Sequence, residues 1–427
     1  MKQYLTNSLW VLLEKVIRLS VVFLFFSLVS QKLSVYDFGI FSLSQTVVTL
    51  IIGIVAFGFD NVLIKDFSSS QRINEYFSTA MIFRLAISIF AISLFCLVMI
   101  FMSYGFIYKL VFMASSLSII FQTQTIYYSY YQAVSKSIVI TKTSIAALVI
   151  SSIIKLAIIY YELGIVYYAL SFSLDYLFSF LFIYFVSKKN GLLLKVSLFE
   201  FNVLKKLINQ SYPVLVSTII VMIYTRIDQF MIAKYLSIED VAKFSVAVRI
   251  SDAYMFIPMA IAASFFPMVS KDPSSSSIQK YFNITHLVTV VSALMVIVML
   301  PLVIGTFFGV RYHESIQVAN IIVIANVISA LGFVSSNILI IRNISYLRIY
   351  RAIYGLIINI ALNIILIPKF GIIGAAYSSL FSQIIAAWIA NSFSPKTRDC
   401  FVFQFKTLVT FGLPSIKQIY KELRLDK

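Results

Sequence analysis

The chain has 427 residues, of which 60% are hydrophobic and only 12% charged, and its formal net charge is +17. Soluble domains carry roughly 25% charged residues, so a mean hydropathy of +0.95 excludes a soluble protein and requires an integral membrane one. The two cysteines, Cys96 and Cys400, exclude a disulfide framework or a thiolate metal site.

Apolar runs long enough to cross about 30 Å of hydrocarbon recur along nearly the whole chain. They predict an all-α polytopic protein of twelve helices: Leu9 to Ser30, Phe41 to Phe59, Ser78 to Met102, Ile107 to Tyr130, Ile138 to Tyr160, Ile165 to Val186, Pro213 to Ala233, Phe244 to Val269, Leu287 to Phe308, Ile316 to Ile340, Ile349 to Ile367 and Ile372 to Phe393. The first run is too long for a signal peptide, contains Lys15 and Arg18, and lacks a small-residue cleavage site. It is therefore expected to stay as the first helix.

With the N-terminus inside, one face of this arrangement holds six basic residues (Lys32, Lys109, Lys234, Lys243, Arg311 and Lys369) and the other holds twenty-two. The positive-inside rule then places both termini in the cytoplasm. The +17 charge reads as a topology signal, and no nucleic-acid partner is expected.

An internal repeat organises the chain. Leu33 to Ser42 reads LSVYDFGIFS, and Leu236 to Ser245, 203 residues later, reads LSIEDVAKFS. The same offset aligns Ser8 with Ser211, Val11 with Val214 and Leu12 with Leu215, and later Gly164, Ile165, Ala169 and Ser171 echo Gly371, Ile372, Ala376 and Ser378. Duplicated halves of membrane-length helices are the pattern of transporters whose substrate passes between repeats, and an even number per half implies an axis along the membrane normal. The expected organisation is a six-helix lobe over 1–187, a basic cytoplasmic linker over 188–210, a second six-helix lobe over 211–394 and a basic tail over 395–427. In that tail Phe401 to Leu413 is too short to span, and Ile416, Ile419, Tyr420 and Leu423 share one helical face among lysines, as in an interfacial helix on an anionic leaflet; a solvated basic tail is the other reading.

Six basic residues (Lys15, Arg18, Arg84, Lys155, Arg226 and Arg249) and four acidic ones (Glu14, Asp175, Asp228 and Asp252) lie five or more residues inside the ends of the spans. A charge at a helix centre costs about 2.5 to 3.5 kcal/mol on insertion scales, so these groups should face the bundle interior or a watery cavity. The basic excess suits an anionic substrate, and the planar arginine fork matches phosphate. Two structural alternatives stand beside this: Glu14 with Arg18 and Arg249 with Asp252 have the spacing of self-paired bridges, and Lys15 and Arg18 have the reach to snorkel. Asp175, Asp228 and Asp252 are the candidates for proton or sodium coupling, or for structural ion pairs.

The tyrosine clusters at 127–131, 160–161 and 167–168 are expected at the membrane interfaces. All eight prolines lie in the second half, and Pro258 and Pro301 are expected to kink their helices. His286 and His313 stand alone, and no phosphate-binding glycine loop is present, so no metal, cofactor or enzymatic constellation is expected. Asn320, Asn326, Asn337, Asn359 and Asn363 fit interhelical hydrogen bonding at least as well as substrate contact.

Asn7, Ser8, Trp10 and Lys15, followed by Leu33 to Gly39, resemble the opening of polysaccharide flippases of the Wzx type. So do Pro213, Arg226-Ile227-Asp228-Gln229, Val241, Phe244-Ser245, Ile257-Pro258-Met259 and Phe266-Pro267, and later Pro368, Gly371 and Gly374-Ala375-Ala376. Ser30-Gln31 stands where such proteins often have Ala-Arg, so no role carries over there. The resemblance implies the multidrug, oligosaccharidyl-lipid and polysaccharide exporter superfamily, with two six-helix lobes around a cationic cavity. It implies transfer of an undecaprenyl-pyrophosphate-linked oligosaccharide from the inner to the outer face of the bacterial inner membrane, in contact with membrane lipids and alongside the polysaccharide polymerase and chain-length machinery. The reading is an O-antigen or capsule repeat-unit flippase working by alternating access. Its alternatives are a cation-coupled multidrug exporter of the same superfamily and a membrane polysaccharide polymerase, which would need an outer domain the apolar pattern does not supply.

Overall fold

The computed structural model describes residues 2–69, 72–192 and 194–414. Within lipid every backbone N–H and C=O must be satisfied inside its own segment, which leaves helices or closed barrels. Among the described residues the chain is helical without a strand: α1 (Lys2–Lys32), α2 (Val35–Ala56), α3 (Phe59–Ser69), α4 (Ile73–Phe101), α5 (Phe106–Ala133), α6 (Ser137–Tyr160), α7 (Ile165–Lys189), α8 (Phe201–Tyr235), α9 (Ile238–Lys271), α10 (Ser275–Phe308), α11 (Ser315–Ile341), α12 (Leu347–Phe393) and α13 (Arg398–Thr410). Among the described residues, α2 and α4 to α12 are long and apolar enough to cross a membrane. Several helices overrun the apolar run that betrays them, because polar turns outside the hydrocarbon continue the helix. The clearest case is α8, whose 35 residues amount to about 52 Å.

The chain divides into two compact units, Met1–Met222 and Ile223–Lys427, with the boundary inside α8. In the first unit, Phe59, Leu63, Phe67, Phe77, Ile126, Tyr127 and Tyr131 form the buried core with Val203 and Leu207 from the first half of α8. Tyr127 and Tyr131 are 2% and 1% exposed, so the expectation of an interfacial belt is corrected for them. Their rings pack within the core, and the Tyr131 hydroxyl lies 3.2 Å from Ser187 Oγ. Tyr160, Tyr161 and Tyr167 do face outward.

In the second unit α12 is a hairpin. At Gly371 the backbone takes φ 61°, ψ −143°, a conformation open to glycine alone. A side chain at Gly374 would lie 2.1 Å from the Leu366 carbonyl oxygen, so the two arms are pressed together at the turn. A buried Arg351 ties the arms further along, donating to Ala386 O (3.1 Å) on the returning arm and to Ser335 Oγ (2.8 Å) and Gly332 O (3.1 Å) on α11. Ala386 lies in a π-helical turn, Ile384–Trp388, where the helix ladder is locally widened. A second π-turn, Ile304–Phe308, follows Pro301, while α9 runs through Pro258 and Pro267 as one helix.

The repeat is visible in local chemistry. Ser34 caps α2, accepting from Asp37 N at 3.0 Å and donating to its carboxylate at 2.8 Å. Ser237 caps α9 in the same way, accepting from Asp240 N at 3.1 Å and donating to its carboxylate at 2.9 Å. These serines and aspartates are the matched residues of the two decapeptides, and each satisfies an orphan N–H of a helix start.

The short helix α3 is unannounced by any apolar run, and the tail helix is α13. Its Gln404 and Thr407 bond to Ala387 O and Asn283, Arg342 clasps Asp399, and Val402, Phe405 and Val409 face outward. The amphipathic stretch at Ile416 to Leu423 lies outside the described residues.

Candidate functional site

Among the described residues, two clusters of buried polar side chains, one in each unit, hold most of the candidate carboxylates. In the first unit α1, α6 and α7 bring together two ion pairs. Glu14 and Arg18 are one turn apart on α1, and Glu14 Oε1 accepts from Arg18 Nε at 2.7 Å. Lys155 on α6 meets Asp175 on α7 at 2.5 Å, with 3% and 8% of the side chains exposed. Ser151, one turn before Lys155, donates to the second Asp175 oxygen at 2.5 Å, and the ammonium sits 4.6 Å over the Phe25 ring of α1. Each charge is thus matched, as burial demands. Tyr128, from α5, lies 2.9 Å from Ser144.

The remaining basic residues are placed differently. Lys15 is exposed. Arg84 is 2% exposed and occupied: it donates to Asp60 Oδ1 (3.0 Å), Thr125 Oγ1 (2.5 Å) and Ala56 O (2.7 Å), the last of these a carbonyl at the end of α2. Arg249 is half-buried on α9.

The second unit holds the less ordinary cluster. Asp228, on α8, is 4% exposed. Its Oδ1 accepts from Asn359 Nδ2 (3.1 Å) and Asn363 Nδ2 (2.5 Å) on the first arm of α12, and its Oδ2 accepts from Ser379 Oγ on the returning arm. Among the described residues Asp228 bonds to no basic side chain. The carboxylate borders a cavity of about 90 Å³ that Tyr224, Ser251, Asp252, Asn326 and Ser379 also line. Tyr224 faces Ser382 at the cavity wall, and the Asn363 carbonyl oxygen, on the first arm of α12, is buried without a hydrogen-bond partner. Asp252 receives Arg226 at 2.9 Å, a bridge from α9 to α8 that is partly exposed. Among the described residues no group of three or more His, Cys, Asp or Glu converges.

The structure therefore brings Arg18 and Lys155 into one bundle with Glu14 and Asp175, brings Arg226 to Asp252, and sets Asp228 apart among neutral donors. Asn359 and Asn363 act as interhelical donors. Sequence reasoning missed Ser151, Tyr224, Ser379 and Arg351. Ser379 and Tyr224 become legible only through helix spacing, since Tyr224 is one turn from Asp228, and the hairpin at Gly371 carries Ser379 back beside Asn363.

The family model for polysaccharide biosynthesis proteins matches residues 4–272, well over half of the chain. The chain belongs to that family. Its curated relatives include the probable low-salt glycan biosynthesis flippase Agl15 of Haloferax volcanii, 25% identical over 242 residues and covering 51% of each chain. The probable flippase AglR of the same organism is 28% identical over 184 residues, 41% of this chain and 39% of the relative. The matched stretch thus spans about half the length of these relatives, or less. Among solved structures, the lipid II flippase MurJ in an inward closed conformation superposes with a TM-score of 0.75 at 15% identity, covering 97% of this chain and 93% of MurJ. An inward-facing multidrug resistance transporter of the MATE family gives 0.67 at 13% identity, covering 92% and 95%. At these identities the likeness is one of fold, shared by flippases and drug exporters alike.

Proposed function

We propose that this member of the polysaccharide biosynthesis family is a flippase that carries a lipid-linked oligosaccharide across a membrane by alternating access, rather than an enzyme or a drug exporter. The observation that carries the reading is the family match over residues 4–272, which includes Arg18, Lys155 and Arg226 and the carboxylates facing them. In this reading α1 and the two arms of α12 complete twelve spans, six per lobe, with both termini cytoplasmic. The substrate is an oligosaccharide on undecaprenyl pyrophosphate, of the O-antigen or capsule kind, in a bacterial inner membrane. Arg18 and Arg226 serve the pyrophosphate when they exchange their carboxylate partners for it, and Lys15 is an exposed first contact.

Asp228 is the coupling residue in the same proposal. A buried carboxylate ringed by three neutral donors can take up a proton, or hold a sodium ion with the unpartnered Asn363 oxygen, without breaking an ion pair. The test is complementation of a flippase-deficient strain scored by surface polysaccharide. Restored polysaccharide without raised resistance to cationic drugs supports the flippase; raised resistance without polysaccharide supports the exporter.

A further inference from the structure

Helix α13 is built inside out. Its fully buried residues are Cys400, Gln404 and Thr407, two of them hydrogen-bonding side chains, with Phe403 and Leu408 packed at the margin. Val402, Phe405 and Val409, at i, i+3 and i+7, form the outward face, and Val409 is 63% exposed. Thr407 Oγ1 accepts from Gln279 Nε2 (2.7 Å) and donates to Asn283 Oδ1 (2.8 Å), both in the opening turns of α10. Gln404 accepts from Asn391 Nδ2 (2.7 Å) and donates to the Ala387 carbonyl (2.8 Å) in the π-turn of the returning arm of α12. A surface helix in water shows the opposite pattern, with its apolar stripe to the core and its polar face to solvent. Against lipid the inversion is required, because polar groups must find their partners within the protein and apolar ones can face the acyl chains.

Yet α13 is no further span. Its 13 residues rise about 20 Å against about 30 Å of hydrocarbon. Its first and last turns are also tied to one end of the bundle: Asp399 to Arg342, the residue that follows α11, and Thr407 to the start of α10. The exposed charges beside the apolar face are of one sign. Lys396, Arg398 and Lys406 are exposed, while the one acid of the helix, Asp399, is taken by Arg342 at 2.9 Å. Trp388 stacks on Phe401 and Phe405, with ring centroids 5.6 and 6.3 Å apart, and so sets an aromatic cluster beside the basic rim. Aromatic rings of this kind concentrate at the headgroup level of a bilayer.

We propose that α13 is a docking surface for an anionic lipid leaflet: Val402, Phe405 and Val409 lie among the upper acyl chains, and Lys396, Arg398 and Lys406 meet the phosphates. A short helix with an apolar outer face and a basic rim carries the chemistry that recognises such a surface. The face is separate from the one that the sequence suggests at Ile416 to Leu423. It depends on the membrane class of the chain and not on its cargo, so failure of the flippase reading would leave it standing.

The full chain, with Trp10 and Trp388 replaced by phenylalanine, can carry one reporter at a time: Val409→Trp, or Val402→Trp two turns earlier on the same face, so that either serves if the other fails to insert. In phosphatidylcholine vesicles, lipid brominated high on the acyl chain should quench the emission about twofold, lipid brominated near the chain end should quench less, and aqueous acrylamide should have little effect. Stronger quenching by the deep bromine means that α13 lies in the hydrocarbon core, dominant acrylamide quenching means that it lies in water, and protection from both means that protein covers it. Each of these overturns the proposal. The anionic preference is read in vesicles of equal parts phosphatidylglycerol and phosphatidylcholine. Bromine on the phosphatidylglycerol should quench roughly twice as strongly as the same bromine on phosphatidylcholine, and the triple variant Lys396→Gln, Arg398→Gln and Lys406→Gln should bring the ratio to about one. A ratio near one in the parent, or a ratio unchanged in the triple variant, overturns recognition by these three cations.

Discussion

Asp175 and Asp228 are both aspartates buried within apolar helices, and their surroundings treat them oppositely. Asp175 faces Lys155 across 2.5 Å with Ser151 on its other oxygen, so its charge is cancelled where it stands. Asp228 receives three polar contacts against those two, from Asn359, Asn363 and Ser379, all neutral groups. Loss of the ammonium would leave Asp175 a buried, uncompensated charge, whereas Asp228, among the described residues, has no cation to lose; in the proposed cycle the first arrangement is structural and the second is the coupling site.

The largest effect expected from breaking this contrast is structural. Lys155→Met leaves Asp175 buried without its partner and should destabilise the first unit by about 3 to 5 kcal/mol. The amount of protein extracted in folded form should drop sharply, and Lys155→Met with Asp175→Asn should recover most of it. Asp228→Asn should do the reverse: folded amount near normal, because no cation is orphaned, and surface polysaccharide reduced at least tenfold. Equal loss of folded protein in Lys155→Met and Asp228→Asn would erase the distinction between the two sites.

The partly exposed Arg226–Asp252 bridge lies between these extremes. Arg226→Ala removes one charge-assisted contact, worth roughly 1.5 to 3 kcal/mol, and should weaken transport about tenfold to a hundredfold. Arg226→Lys should be milder, since it keeps the charge and loses the fork. If Arg226 only neutralises Asp252, then Arg226→Ala with Asp252→Asn will restore polysaccharide; persistent inactivity at normal protein level leaves the substrate role standing.

The smallest effect concerns the surface pair Arg342–Asp399, which clasps α13 to the end of α11. Burial pushes the Asp399 carboxyl up, but the Arg342 hydrogen bonds outweigh it and hold it below its ordinary value. The clasp therefore contributes fully above the ordinary carboxylate range and is lost as pH falls through the lowered value. Trp388 stacks on Phe401 of α13 at 5.6 Å. In a Trp10→Phe background its fluorescence should hold steady from neutral pH down through the ordinary carboxylate range and shift only below it. Asp399→Asn should show the shifted emission at every pH.

The comparison also explains which parts of the site were legible in advance. Charges in spans announce themselves because few residues can be charged there, so Asp175, Asp228, Lys155 and Arg84 were visible by position alone. Their partners were not. Lys155 and Asp175 lie on consecutive helices but 20 residues apart, and nothing in the pattern pairs them before α6 and α7 pack. Arg84 stood among the substrate candidates beside Arg226, and only the corner at Phe57 and Gly58 shows it occupied. Tyr127 and Tyr131 resembled an interfacial belt because tyrosines near a span end usually form one, yet here the packing of α5 against α3 turns them inward.

By itself the sequence determined the helical membrane class, most of the long apolar helices, the matched decapeptides whose Ser34 and Ser237 cap α2 and α9, and the charges set within apolar helices. These follow from one-dimensional terms: hydrocarbon thickness, the cost of an unsatisfied peptide, and the fit of a serine to a helix start. The tertiary structure alone decided which charge meets which. It did so through the turn at Gly371, which lays Ser379 beside Asn363 and closes a neutral ring on Asp228, and through the packing of α6 on α7, which sets an ammonium before Asp175. Short-range electrostatics falls off over a few ångströms, so the chemistry of a buried carboxylate belongs to its neighbours in space rather than to its neighbours in the chain.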